Sequence, residues 1–265
     1  MNATSNQSTG LALDIDFDRV YDLTGQAALI TGGASGIGKA IAQLFASRGA
    51  RLALIDRSEV VHEVSTSLGS GHLSLVTDVT LEDEVRHAVA TVADQWGRVD
   101  ILINSAGIGP LAKSEETSIE LWDATLDINL RGSFLFAREA GQRMIAQRYG
   151  RIVNLASQAA LVALDGHMAY SASKAGILGM TRVMAKEWGP HGITVNAISP
   201  TVVDTPMGAQ GTWSGEAGVA MRKLIPTGRF AQPEEVAHTA LFLVSGASRM
   251  ITGENVVIDG GYTTV

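Results

Sequence analysis

Seven short apolar runs recur along the chain: QAALIT (26–31), RLALID (51–56), HLSLVT (72–77), VDILIN (99–104), GRIVNLA (150–156), ITVNAI (193–198) and ENVVID (254–259). They are continuous rather than alternating, the pattern of strands covered on both faces. Helix-length amphipathic stretches lie between them. Residues 37–49 place Ile37, Ile41, Leu44 and Phe45 on one face. Residues 81–97 open after Thr80, which reads as an N-cap, with Asp83 placed for a capping box. The stretches 121–147 and 170–189 are longer, and 233–246 starts with Pro233 at a first helical position. Strand and helix alternating to the end predict an α/β fold: one doubly wound parallel sheet of about seven strands with helices on both faces. No linker or fixed-period repeat divides it. We expect a flexible N-terminal extension over residues 1–20 and a single catalytic domain over 21–265.

Composition narrows the class. The chain has 265 residues, 46% hydrophobic and 18% charged, enough to bury a sizeable core and too apolar for a disordered chain. The formal charge of −7 argues against a nucleic-acid or anionic-membrane binder. There is no cysteine, which excludes disulfides, a thiolate nucleophile and cysteine-held metal. The 6 histidines show no H-x-x-x-H spacing, so no metal is expected. The polar N-terminus has no signal-peptide pattern, and its N-x-[ST] matches at Asn2 and Asn6 read as chance; a cytoplasmic location is expected.

The first strand runs into Thr31-Gly32-Gly33-Ala34-Ser35-Gly36-Ile37-Gly38, with a helix behind it. A glycine pattern alone is weak, but the first strand-to-helix turn of a βαβ unit is where it binds a dinucleotide. Gly32 permits the turn, Gly36 admits a pyrophosphate close to the backbone, and Gly38 lets the helix pack against the sheet. The free N–H groups of the helix start face the phosphate charge. Asp56 closes the second strand, 18 residues beyond Gly38. A carboxylate there accepts from a ribose 2′-hydroxyl and repels a 2′-phosphate, favouring NAD over NADP despite the adjacent Arg57. Asp78 and Val79 follow the third strand, where the adenine would lie. Small residues in Asn104-Ser105-Ala106-Gly107 let the cofactor cross the fourth strand end.

Ser157 follows the fifth strand, Tyr170 comes 13 residues later, and Lys174 one helical turn beyond it. Tyr-x-x-x-Lys occurs by chance on many helices. After strand five, with a serine at the strand end, it becomes a candidate catalytic pair at the carboxyl edge of the sheet. An ammonium beside a phenol, together with the positive ring of an oxidised nicotinamide, is expected to lower the phenol pKa from near 10, so that Tyr170 takes a proton from an alcohol held by Ser157.

Together these motifs resemble the short-chain dehydrogenase/reductase family over roughly residues 20–265. The resemblance implies a single Rossmann-like domain, NAD as cofactor and a catalytic tetrad of Asn129, Ser157, Tyr170 and Lys174. It implies that Asn129 supports a water next to Lys174, that Lys174 also holds the nicotinamide ribose, and that Ile108, Pro200, Val203 and Thr205 surround the nicotinamide. Thr201 stands where the family carries glycine. A β-branched residue does not share glycine's positive φ, so a different backbone or pocket depth is expected there.

Gln158 and His167, beside Ser157 and Tyr170, are the candidate substrate contacts, and residues 206–225 read as a glycine-rich lid. These polar groups, and the lack of an apolar stripe dedicated to a steroid or acyl tail, suggest a small sugar alcohol or polyol oxidised to a ketose. A 3-oxoacyl-thioester reductase is the alternative, disfavoured by Asp56 and the acidic charge; a nucleotide-sensing module would not need the Tyr170–Lys174 pair. The apolar stripes of 121–147 and 170–189 exceed what one sheet face covers and, with the family resemblance, suggest a homotetramer.

Overall fold

The computed structural model describes residues 16–264; Asn2, Asn6 and most of the expected N-terminal extension lie outside them. One turn of helix, α1 (Phe17–Val20), precedes a seven-stranded sheet. The strands are β1 (Ala27–Thr31), β2 (Arg51–Asp56), β3 (Leu73–Val76), β4 (Ile101–Asn104), β5 (Gly150–Leu155), β6 (Ile193–Pro200) and β7 (Asn255–Ile258). Their order is β3-β2-β1-β4-β5-β6-β7, and every neighbouring pair is parallel. The chain winds outward from β1 to β3, then returns to β4 on the other side of β1. This reversal opens a crevice beyond the carboxyl ends of β1 and β4.

Successive side chains of a strand point to opposite faces, and each face has its own core. Ala28, Ile30, Leu52, Leu54, Ile101 and Ile103 pack with Ile41 and Phe45 of α2 (Gly36–Ser47), Val61 and Val64 of α3 (Val60–Ser67), and Leu241 and Val244 of α9 (Pro233–Val244). Leu29, Ala53, Ile55, Leu102 and Ile152 pack on the other face. They meet Val85 and Val89 of α4 (Glu82–Trp96), Phe136 and Met144 of α6 (Gly132–Gln147), and Met184 of α7 (Met168–Trp188). All of these strand side chains are essentially inaccessible, which is why the strands read as unbroken apolar runs.

Two local expectations are corrected. The 121–147 stretch is three pieces: α5 (Ile119–Leu126), a π-helical turn over Asp127–Arg131, and α6. An apolar stripe does not reveal a widened turn of this kind. Thr80 does not cap α4; the N-cap position is Leu81, Thr80 donates to Asp78 Oδ1 (2.7 Å), and Asp83 pairs with Arg86 (2.9 Å). Thr201, in keeping with its β-branched side chain, does not carry a positive φ: Arg148 alone does so among the described non-glycine residues, and no backbone strain attends the threonine. Residues 206–225 are mostly helical, a π-helical turn over Gly208–Thr212 followed by α8 (Gly215–Leu224). Met221 and Ile225 anchor this segment on Val202 and Phe230. Pro233 does open α9, where Glu235 Oε2 reaches back to the N–H of Gln232 at 2.8 Å and completes a capping box.

Candidate active site

The loops after β1, β4, β5 and β6 meet at the carboxyl edge around a cavity of about 570 Å³. Thr31 organises one end of it. Its Oγ1 accepts from the N–H groups of Ser105 (3.0 Å) and Ala106 (3.1 Å), which ties the β4 loop to the end of β1. A Cβ on Gly32, whose φ is 68°, would stand 3.0 Å from the Ala106 backbone; the two loops touch through glycine. Ser35 is the extended N-cap residue of α2 and makes no side-chain capping bond, so the first N–H groups of the helix are left facing the crevice. A Cβ on Gly36 would lie 3.3 Å from Thr205 Cγ2 and fill the space between the loop and the far wall. Uncapped N–H donors, a glycine-kept gap and an acidic strand end are what a dinucleotide's pyrophosphate and ribose require. Gly38 does not line the cavity. A side chain there would run into the Gly32 carbonyl, so its part is close packing of helix on loop.

Asp56 lines the same end. Its carboxylate accepts from the N–H groups of Ala34 (3.1 Å) and Ser58 (3.0 Å), which orients it at the β2 tip. Asp78, Val79, Ala106, Gly107, Ile108, Pro200, Val203 and Thr205 all line the cavity. Asn104 does not. Its side chain turns into the protein, where Nδ2 donates to Ser133 O (3.1 Å) and Asn154 Oδ1 (2.9 Å) and links β4, β5 and α6. Ser105, one of the small residues of that stretch, takes a place on the wall instead.

At the other end Ser157, Tyr170 and Lys174 share the cavity with Gln158 and His167. Ser157 caps a short 3-10 turn, its Oγ accepting from Ala159 N at 3.1 Å. Lys174 Nζ donates to the Leu155 carbonyl at 2.7 Å and lies 5.6 Å from the Tyr170 ring centre. Asn129 stands behind them, fully buried and outside the cavity lining. Its Oδ1 accepts from Ile108 N (2.8 Å), while Nδ2 donates to Ile108 O (2.9 Å) and Ser173 Oγ (3.0 Å). Both amide hydrogens are engaged, so Asn129 clamps the Ile108 backbone beside the cavity and makes no direct bond to Lys174.

Burial dominates the electrostatics of the protein's own groups. Burial raises the Tyr170 phenol above its ordinary value of 10, and the Ser157 hydroxyl opposes the rise; the Lys174 ammonium is not the controlling influence. Lys174 is itself depressed by burial, from 10.5 to about 8. Both groups share one desolvated pocket, which disfavours each charged form. Sequence reasoning also missed the stacking of His167 on Trp213, at 5.9 Å between ring centres and 13° between planes, because 46 residues separate them along the chain.

Among the described residues no group of three or more His, Asp or Glu side chains could hold a metal, and no helix is long and apolar enough to cross a membrane. Comparisons with known proteins agree with the fold. The family model described as enoyl-(acyl carrier protein) reductase matches residues 32–263. An NAD-dependent glycerol dehydrogenase of Listeria innocua is 51% identical over 248 residues, covering 93% of this chain and 97% of the relative. A D-threitol dehydrogenase of Mycolicibacterium smegmatis is 51% identical over 255 residues, covering 95% and 97%. The crystal structure of levodione reductase superposes with a TM-score of 0.88 at 32% identity, covering 92% of this chain and 99% of that one. The glycine loop, the serine, and the tyrosine–lysine pair thus sit on a shared scaffold, and the chain belongs to the short-chain dehydrogenase/reductase family.

Proposed function

We propose that the chain is an NAD-dependent polyol dehydrogenase, oxidising a secondary hydroxyl of a small sugar alcohol to a ketone. The observation that carries the reading is the single cavity. A dinucleotide-type loop and Asp56 form one end; Ser157, Tyr170 and Lys174 form the other. The names of the glycerol and threitol dehydrogenases support the substrate class and the cofactor. The loop from Gly32 to Ile37 would hold the pyrophosphate, Asp56 the adenosine ribose, Asp78 and Val79 the adenine side, and Pro200, Val203 and Thr205 the nicotinamide side. NAD+ supplies the hydride acceptor when bound.

The chain's own groups do the rest. Ser157 Oγ holds the substrate oxygen, and Tyr170 Oη receives its proton. Lys174, bonded to the Leu155 carbonyl, keeps a donor at the foot of the phenol. Asn129 acts through Ile108 by holding the cavity wall. Because burial resists the phenolate, alcohol oxidation should strengthen as pH rises through the alkaline range. A cytoplasmic homotetramer is part of the proposal. Phe134 on α6 and Val183 on α7 are among the large apolar side chains left exposed, and light scattering giving a monomer would count against association.

The test is NADH formation, followed by absorbance, over glycerol, four- to six-carbon polyols, hydroxy acids and 3-hydroxyacyl thioesters. Polyols should give the highest kcat/KM with NAD+. Preference for the thioesters with NADP+ would replace this reading by the acyl-thioester one.

A further inference from the structure

We infer that His167 is the specificity-determining residue at the substrate end. Its Nε2 accepts a hydrogen bond from a second hydroxyl of the alcohol, one or two carbons from the carbon that reacts. The inference rests on the polyol reading and deepens it.

The tautomer is fixed by chemistry. His167 Nδ1 lies 2.8 Å from the carbonyl oxygen of Asp165. A carbonyl only accepts, so Nδ1 carries the hydrogen, and the neutral ring presents Nε2 as a bare acceptor. Among the described residues Nε2 has no hydrogen-bond partner, although His167 is buried and lines the cavity. The ring is held on every side. Its backbone N–H donates to Leu164 O (3.2 Å), its carbonyl accepts from Ser171 N (2.7 Å), and the residue bridges to Ala112. Trp213 stacks on its face, and Tyr170 meets it edge-on at 6.0 Å between ring centres. The plane and the flip of the imidazole are therefore set before any ligand arrives.

The two polar groups differ. Gln158 also lines the cavity, but its partnerless Oε1 is sealed from water, whereas His167 Nε2 is not sealed in this way. An acceptor left open on a cavity wall is met by water or by a donor of the ligand that displaces it. A carboxylate would meet the Nε2 lone pair with like charge, and a plain hydrocarbon would leave Nε2 unpaired on binding. An uncharged diol supplies the missing donor.

The experiment compares butane-2,3-diol with butan-2-ol, which differ by the second hydroxyl. The ratio of their kcat/KM values is measured with NAD+ for wild-type protein, His167→Phe and His167→Gln. Phe keeps a ring against Trp213 without an acceptor; Gln restores a polar acceptor at similar reach. The wild-type ratio should favour the diol, His167→Phe should lower it about tenfold, and His167→Gln should recover a large part. Should His167→Phe not bind NAD+, His167→Leu against His167→Gln gives the same comparison. A wild-type protein that oxidises both alcohols alike overturns the polyol reading and the acceptor with it. A wild-type diol preference that survives in the Phe or Leu variant, or that Gln fails to recover, overturns the acceptor alone.

Discussion

Lys174 carries a cost that stability measurements can read. The residue is 5% exposed, and its ammonium makes one hydrogen bond, to the Leu155 carbonyl, and has no carboxylate within ion-pair distance among the described residues. Burial moves its pKa from 10.5 to about 8. At about 1.36 kcal/mol per pH unit, keeping this charge inside the fold costs about 3 kcal/mol near pH 7. Between pH 8 and 10.5 the unfolded chain holds a proton that the folded protein has released. Unfolding takes up that proton, so this contribution to stability rises with pH through the window. Lys174→Met removes the charge and leaves the Leu155 carbonyl without its donor, a loss of about 1 kcal/mol. The variant should therefore be about 2 kcal/mol more stable than wild type at pH 7 and inactive at every pH. By pH 10 wild type regains most of its deficit, and the difference should vanish or reverse. The assay is reversible urea unfolding of both proteins without NAD+, at equal concentration, at pH 7 and pH 10. A stability difference that does not change between the two would refute the assignment of Lys174 as a buried, unpaired cation.

Two further outcomes follow from other parts of the molecule. Asp56→Asn keeps an acceptor for the loop N–H groups and removes the charge. The NAD+/NADP+ ratio of kcat/KM should then fall about tenfold; an unchanged ratio argues against the ribose contact. Asp100 is fully buried and accepts from both Nε (2.7 Å) and Nη2 (2.6 Å) of Arg98, and from Ala27 N (2.9 Å). Arg98→Met should cost about 2 kcal/mol in urea unfolding at pH 7, because it strands a buried carboxylate. A loss below about 0.5 kcal/mol would mean that Asp100 finds other partners.

The parallel sheet was legible because its central strands are apolar on both faces, and the positions of β2 and β5 differ from the sequence reading by at most one residue. Helix α3 was not, since VVHEVSTS anchors mainly through Val61 and Val64 and is rich in residues with weak helix preference. The motifs picked out residues most of which share one cavity, but side-chain direction needed tertiary closure. Asn104 and Ala106 lie two residues apart, yet the first faces the protein and the second the cavity. The same holds for electrostatics. Spacing shows that Lys174 stands one turn from Tyr170, whereas the burial that raises the phenol and lowers the ammonium arises only when β5, β6 and α7 close around them. Asn129 reads as a polar residue in an apolar helix; its clamp on Ile108 bridges 21 residues and passes through a π-helical turn that the pattern conceals.

The most direct measurement is turnover of the preferred polyol by Tyr170→Phe, with NAD+ affinity measured in parallel by fluorescence titration. Loss of the phenolic oxygen should reduce kcat by about a hundredfold or more while the Kd for NAD+ stays within about twofold of wild type. A Phe variant that binds NAD+ and keeps most of its kcat would contradict proton transfer at Tyr170, and with it the catalytic role given to this end of the cavity.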